Sequence, residues 1–214
     1  MSFYSFGRYV CLFFLNLYFK IEVRGVEFLE KNPDGMILIS NHMSYLDPVL
    51  MGLFSRRKLF FMAKKELFNV PILRRIIKKL GAFPVDREKK GVEALEIACD
   101  IVKKGEVVAI FPQGHRSRNI EKDIVKTGFF RIAVMTSCSV VPCSLYYKGY
   151  WPRSRVYVYY EEPVEILNFL EESGLKRENL NYRDIKILAS KFWDKVKILY
   201  KEQDKKYKKR LKKK

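Results

Sequence analysis

Histidine is scarce in this chain of 214 residues: only His42 and His115 are present. Cysteine is little better represented, with Cys11, Cys99, Cys138 and Cys143 scattered and no Cys-x-x-Cys pair among them. That distribution does not make a zinc site, so no metal is expected, and the thiols read as reduced groups in a cytosolic setting. An uninterrupted membrane-spanning run is also lacking. The most apolar stretch, Val10 to Phe19, would cover only about 15 Å as a helix against roughly 30 Å of hydrocarbon. No small-residue cleavage pattern follows it, so no cleavable signal peptide is expected. Acidic residues are outnumbered, 24 Asp and Glu against 42 Lys and Arg, which leaves a formal charge of +18.

That charge calls for a polyanionic partner: nucleic acid, an anionic membrane, or a phosphorylated or acidic substrate. No recognisable nucleic-acid-binding module is present, so no nucleic-acid partner is expected. Part of the excess sits at the end of the chain, where residues 201–214 hold nine Lys or Arg against Glu202 and Asp204. This stretch reads either as a solvated helix end or as an attachment to anionic lipid. Near the start, Phe3, Tyr4, Phe6, Tyr9, Phe13, Phe14, Tyr18 and Phe19 crowd a short segment with Arg8. Residues 1–20 are therefore expected to form an interfacial amphipathic helix on a membrane surface, peripheral or monotopic, at the cytoplasmic face.

The 48% hydrophobic content suits one globular core. Short apolar runs at Ile21–Arg24, Met36–Ile39, Lys58–Met62, Ala82–Val85 and Val107–Ile110 read as strands. Between them Ile72–Leu80, stopped by Gly81, and Val92–Lys104 read as helices, as does Gly128–Thr136. Val140–Tyr147 contains Pro142, which predicts an edge strand or a bulge. Arg155–Tyr160 alternates Val with Tyr and predicts a half-exposed strand. A Lys-rich helix is expected from about Tyr182. The chain is thus expected to be a single α/β domain with a central mixed, largely parallel sheet flanked by helices. Residues 21–165 would be the catalytic core, 1–20 the membrane-interface segment, and 166–214 a helical, Lys-rich extension.

Both histidines follow a predicted buried strand, and strand ends are where α/β proteins place chemistry. His42 lies in Ser40-Asn41-His42-Met43-Ser44-Tyr45-Leu46-Asp47. An imidazole and a carboxylate can form a general-base pair if the histidine sits in the turn and Asp47 at the helix entrance. Asp47-Pro48 is also a good helix start, with Asp47 as N-cap. The residues alone leave both readings open, and one carboxylate can serve both.

Four blocks occur in order: Asn41-His42-x-x-x-x-Asp47; Gly81-Ala82-Phe83-Pro84-Val85-Asp86-Arg87; Phe111-Pro112-Gln113-Gly114-His115-Arg116-Ser117; and Val140-Val141-Pro142. Ala63-Lys64-Lys65-Glu66-Leu67 lies between the first two. From about Val23 to Tyr160 the chain resembles the glycerolipid acyltransferase family, in its bacterial 1-acylglycerol-3-phosphate acyltransferase form. The resemblance implies transfer of a fatty acyl group from acyl-CoA or acyl carrier protein to the sn-2 hydroxyl of lysophosphatidic acid, giving phosphatidic acid. The same fold acting on glycerol-3-phosphate or another lysolipid is the alternative. No cofactor is implied beyond the acyl thioester co-substrate, and the implied partners are lysophosphatidic acid, the acyl donor and an anionic membrane surface.

The resemblance makes His42 the general base and Asp47 the group that orients it. It places Asn41, Lys64, Arg87, Gln113, Gly114 and Arg116 in the substrate site, with Arg87 and Arg116 as the phosphate donors. The third block departs from the family's Phe-Pro-Glu-Gly-Thr-Arg, with Gln113 for glutamate and His115 for threonine. Gln113 can hydrogen-bond but cannot carry charge or act as a base. His115 reads as an orienting or surface group.

Overall fold

The computed structural model describes residues 12–79, 81–85 and 92–212. Residues 12–18 are helical (α1) and lead into β1 (Lys20–Arg24). There follow β2 (Met36–Ser40), α2 (Asp47–Phe54), β3 (Leu59–Lys64), α3 (Pro71–Lys79), β4 (Ala82–Val85), α4 (Val92–Lys103) and β5 (Val107–Ile110). The chain continues through α5 (Gly128–Thr136), β6 (Ser139–Tyr147), β7 (Arg155–Tyr160), β8 (Val164–Glu165), α6 (Ile166–Glu172) and α7 (Tyr182–Leu211). The sheet runs β1-β7-β6-β2-β5-β3-β4, with β8 paired to β6 off this path. Every pairing is parallel except β6 with β7 and β6 with β8. This is the expected mixed, largely parallel α/β domain. The expected helix over 1–20 is described only from residue 12 onward.

Strand alternation divides the core into two layers. Ile37, Ile39, Val108, Ile110 and Val140 point to one face, where Ala98, Phe129, Phe130, Ile132, Phe192 and Trp193 from α4, α5 and α7 cover them. Met36, Leu38, Val107, Ala109 and Val141 point to the other, under Phe19, Leu29, Leu50 and Met51. With both faces covered, these strands are continuous apolar runs with no polar alternation. That is why they stand out in the sequence.

Three expectations are corrected by packing that spans long sequence distances. Strand β6 lies inside the sheet, not at its edge, paired to β2 on one side and to β7 and β8 on the other. Pro142 falls where the antiparallel partner changes from β8 to β7, and its carbonyl accepts the Glu161 N–H at 2.8 Å, so its missing N–H interrupts no ladder. Strand β7 is buried on both faces, because α7 covers the side carrying Tyr157 and Tyr159. Asp47 is the first residue of α2, whose N-cap is Leu46, and its side chain makes no cap bond.

Helix α7 begins with a capping box, Asn181 accepting from the Asp184 N–H and the Asp184 side chain accepting from the Asn181 N–H. Its second half is bound to the sheet. Gln203 and Ser144 exchange two hydrogen bonds of 2.9 Å. Arg24 grips Glu202 through both guanidinium nitrogens, and Glu22 accepts from Tyr159, Lys206 and Arg210. Several cations near the end of the chain are therefore held in place.

The parallel pairing of β2 with β5 and β6, and of β3 with β4 and β5, brings the C-terminal ends of these strands to one edge. Strands β7 and β1 run the other way, so their first residues, Arg155 and Lys20, reach that same edge. At the opposite edge the Arg57 guanidinium donates to the carbonyls of Leu29, Asn32, Pro33 and Gly105 and closes the loops there.

Candidate active site

Strand β2 ends at Ser40, and the next six residues form a tight turn before Asp47 opens α2. The turn is folded around the Asp47 carboxylate. Oδ2 accepts the backbone N–H of Met43 at 2.6 Å and of Ser44 at 2.8 Å, and lies 2.7 Å from His42 Nδ1. Oδ1 accepts the Tyr147 hydroxyl at 2.5 Å. The carboxylate has no solvent access, so four protein donors replace its water shell. Burial, and then the Asp47 charge, push the Tyr147 phenol far above its ordinary range, so its O–H stays a donor.

With a carboxylate oxygen facing Nδ1, that nitrogen carries the proton in the neutral ring, and Nε2 keeps its lone pair. The ring lies 4.2 Å from Phe111 in a stacked arrangement and keeps 20% of its side chain exposed. Phe111 stacks in turn on Phe61. The imidazole is thus held by a carboxylate on one nitrogen and an aromatic face, and among the described residues no hydrogen bond takes up the other nitrogen.

The loop after β5 is joined to this turn through its backbone and Gln113. Ser117 N–H donates to the His42 carbonyl at 2.8 Å, and Gln113 Oε1 accepts the His42 N–H at 2.6 Å. Gln113 Nε2 donates to Asp123. The carboxamide is buried, each end paired, and it sets the backbone of His42. Its amide also accounts for the departure from glutamate: a carboxylate at 113 would face Asp123, whereas an amide presents one acceptor and one donor. Gly114 has φ +72, a left-handed turn that favours glycine.

The other expected residues are distributed unevenly. Arg116 lies with its guanidinium 3.5 Å over the ring of Tyr45, which stands in the His42 turn, and it is exposed. Asn41 is fully buried, and its carboxamide exchanges two 2.8 Å hydrogen bonds with the Leu145 backbone. Asn41 therefore joins the turn to β6 and does not face a ligand. Lys64, at the end of β3, is exposed and pairs with Glu66 at 2.9 Å. Arg87 lies outside the described residues; β4, which leads to it, ends on the site's edge. His115 is 64% exposed, with Nδ1 3.0 Å from the Gln113 carbonyl and Nε2 3.9 Å from Asp123. Sequence reasoning missed Tyr147 and Asp123. Tyr147 could have been found as the last residue of a strand ending on this edge; Asp123, in an irregular loop, gave no signal.

Comparison with known proteins identifies the family. The family model described as Acyltransferase matches residues 20–146. The chain is 34% identical over 139 residues to the 1-acyl-sn-glycerol-3-phosphate acyltransferase of Streptococcus pneumoniae, covering 62% of this chain and 51% of that protein. It is 34% identical over 116 residues to the protein of the same name from Bacillus subtilis, covering 54% and 56%. To the chloroplastic LPAT1 of Arabidopsis thaliana it is 33% identical over 131 residues, 60% of this chain and 36% of that one. The chain spans about half the length of the bacterial relatives it matches. The crystal structure of the 1-acyl-sn-glycerophosphate (LPA) acyltransferase PlsC from Thermotoga maritima superposes with a TM-score of 0.59 at 25% identity, covering 84% of this chain and 71% of that one. The family match runs from the first strand into β6, across more than half of the sequence and through both loops that build the His42 site: the chain belongs to the acyltransferase family.

Proposed function

We propose that the protein transfers a fatty acyl group from acyl-CoA or acyl carrier protein to the sn-2 hydroxyl of 1-acylglycerol-3-phosphate, giving phosphatidic acid at a membrane surface. The observation that carries this reading is the Asp47-held imidazole with Nε2 open at the sheet edge. An alcohol is a poor nucleophile until its proton is removed as it attacks. His42 Nε2 takes the hydroxyl proton while the oxygen forms its bond to the thioester carbonyl carbon. The tetrahedral intermediate then collapses, the C–S bond breaks, and the imidazolium returns the proton to the departing thiolate. Asp47 keeps Nδ1 protonated throughout and stabilises the imidazolium, as the carboxylate does in serine hydrolases, except that the substrate supplies the hydroxyl. No acyl-enzyme is formed.

The acceptor's phosphate needs a fixed cation near His42. Arg116, held against Tyr45, supplies one, and the sequence resemblance assigns Arg87 the same role. The acyl chains need an apolar surface. A groove of about 680 Å³ lined by Phe14, Leu17, Tyr18, Leu46, Tyr150 and Pro152 opens beside the residue that precedes Asp47. Phe13, Phe14 and Leu17 are exposed on α1, which suits insertion into the interface of a bilayer. Among the described residues no helix is long and apolar enough to cross one.

The test is conversion of lysophosphatidic acid and an acyl thioester to phosphatidic acid by the purified full chain in liposomes. Both donors and a panel of acceptors should be compared, with glycerol-3-phosphate and other lysolipids included. Phosphatidic acid as the main product supports the reading; acylation of another acceptor in preference to lysophosphatidic acid overturns the assignment of the substrate.

A further inference from the structure

The β6–β7 connection builds a second concave site on the same sheet edge, separate from the His42 turn. Its volume is about 330 Å³, and Lys20, Lys148, Arg153, Arg155, Arg210 and Trp151 line it. The cations come from four places: the start of β1, the end of β6, the turn into β7 and the last turn of α7. Among the described residues no acidic side chain lines the cavity. Glu22, which bridges Arg210 and Lys206, is the carboxylate closest in the network that holds α7. Arg210 is paired with Glu22 and Lys148 lies near Asp204, whereas among the described residues Lys20, Arg153 and Arg155 face no carboxylate, and brought together they repel one another unless an anion joins them.

Two further observations point to a ligand. Arg153 has φ +65, a left-handed conformation that glycine or asparagine adopts at lower cost. The backbone is held there because Arg153 N–H donates to the Tyr18 carbonyl and Lys20 N–H to the Ser154 carbonyl, at 2.5 and 2.8 Å. Backbone strain kept at a position is a mark of binding and switch sites. Trp151 lies over Gly149 and leaves 56% of its surface exposed. Tyr150 and Pro152, on either side of it in sequence, line the apolar groove with Phe14, Leu17 and Tyr18 of α1, so the basic pocket has an apolar rim. An anionic head with an apolar body matches that pairing, because the indole sits at headgroup depth when a protein rests on a bilayer.

We propose that this pocket seats the phosphate of an anionic membrane phospholipid, distinct from the reacting lipid, and that docking it there lays the edge carrying His42 against the bilayer. A chain of contacts ties the two sites: the Tyr18 hydroxyl donates to the Tyr150 carbonyl, Tyr150 stacks on Tyr147, and Tyr147 donates to Asp47. The proposal draws on the reading above only in placing the reaction at a membrane. Vesicle binding is measured without turnover, so a failed acyl-transfer assay and a failed binding assay are separate results.

The full chain is tested by sedimentation with phosphatidylcholine vesicles with and without phosphatidylglycerol. The triple variant Lys20→Gln/Arg153→Asn/Arg155→Gln keeps the left-handed residue at 153 tolerable. Each basic residue at the surface changes partitioning by about five-fold, so the triple variant should lose on the order of a hundred-fold for phosphatidylglycerol vesicles. The same charge removed at the opposite edge, Lys58→Gln/Lys103→Gln/Lys104→Gln, should change binding by only a few-fold. Equal losses in both variants overturn the pocket in favour of diffuse charge. Normal vesicle binding by the pocket variant, with slower transfer from acyl carrier protein alone, overturns it in favour of a protein partner. An unmutated readout covers a variant that fails to fold. The chain has two tryptophans, and Trp193 is 1% exposed, so an emission change on adding vesicles reports Trp151. A blue shift, with quenching by brominated lipid, is expected; sedimentation without either overturns the proposal.

Discussion

The loops after β2 and β5 each carry one histidine to the same edge of the sheet, and each histidine has an aspartate within reach. His42 is 2.7 Å from a carboxylate without solvent access, while His115 is 3.9 Å from Asp123 and mostly in water. Asp47 accepts four donors that hold it and the turn together, whereas Asp123 accepts from Gln113 and so supports the backbone of the other histidine. The two imidazoles differ in what fixes them. Proximity to a largely buried aspartate is common to both loops; a carboxylate that holds its histidine at hydrogen-bond distance while accepting three further donors belongs to one.

Variants can break that contrast in order of size. His42→Ala should lower kcat by roughly 10² to 10⁴, measured as initial phosphatidic acid formation. Asp47→Asn removes the charge that opposes the imidazolium and should cost on the order of 10² in kcat with a smaller change in KM. Tyr147→Phe leaves Oδ1 without its buried donor; roughly 1.5–3 kcal/mol of stability should be lost in urea unfolding, with a several-fold fall in kcat. Gln113→Glu sets a carboxylate against Asp123 and should destabilise by about 1–3 kcal/mol, and Asp123→Asn added to it should restore most of that. His115→Ala should leave kcat/KM within about two-fold, since the ring is mostly in water and meets only the Gln113 carbonyl and, at 3.9 Å, Asp123.

Much of the fold is legible because β2 and β5, covered on both faces, appear as short uninterrupted apolar runs bounded by turn residues. Errors arise where a distant element decides. Pro142 is locally an edge signal, yet the switch from β8 to β7 twenty residues on accommodates it. The Val and Tyr alternation of β7 is locally a half-exposed strand, yet α7 covers the Tyr face. In the site, His42 and Asp47 lie five residues apart and could be paired from spacing. The Tyr147 to Asp47 bond joins residues 100 apart, and no periodicity reports it. Asn41 shows the converse: it stands beside His42 in sequence, and its amide is used by Leu145, 104 residues away.

The central claim is that Asp47 acts through His42, and a kinetic double-variant cycle tests it most directly. Values of kcat/KM for acyl transfer to lysophosphatidic acid are measured for His42→Ala, Asp47→Asn and the pair, each checked for an unchanged melting transition. The account predicts that the double variant is no slower than His42→Ala alone, because an orienting carboxylate has nothing left to orient. Losses that multiply, or a His42→Ala protein with the full rate, would contradict it.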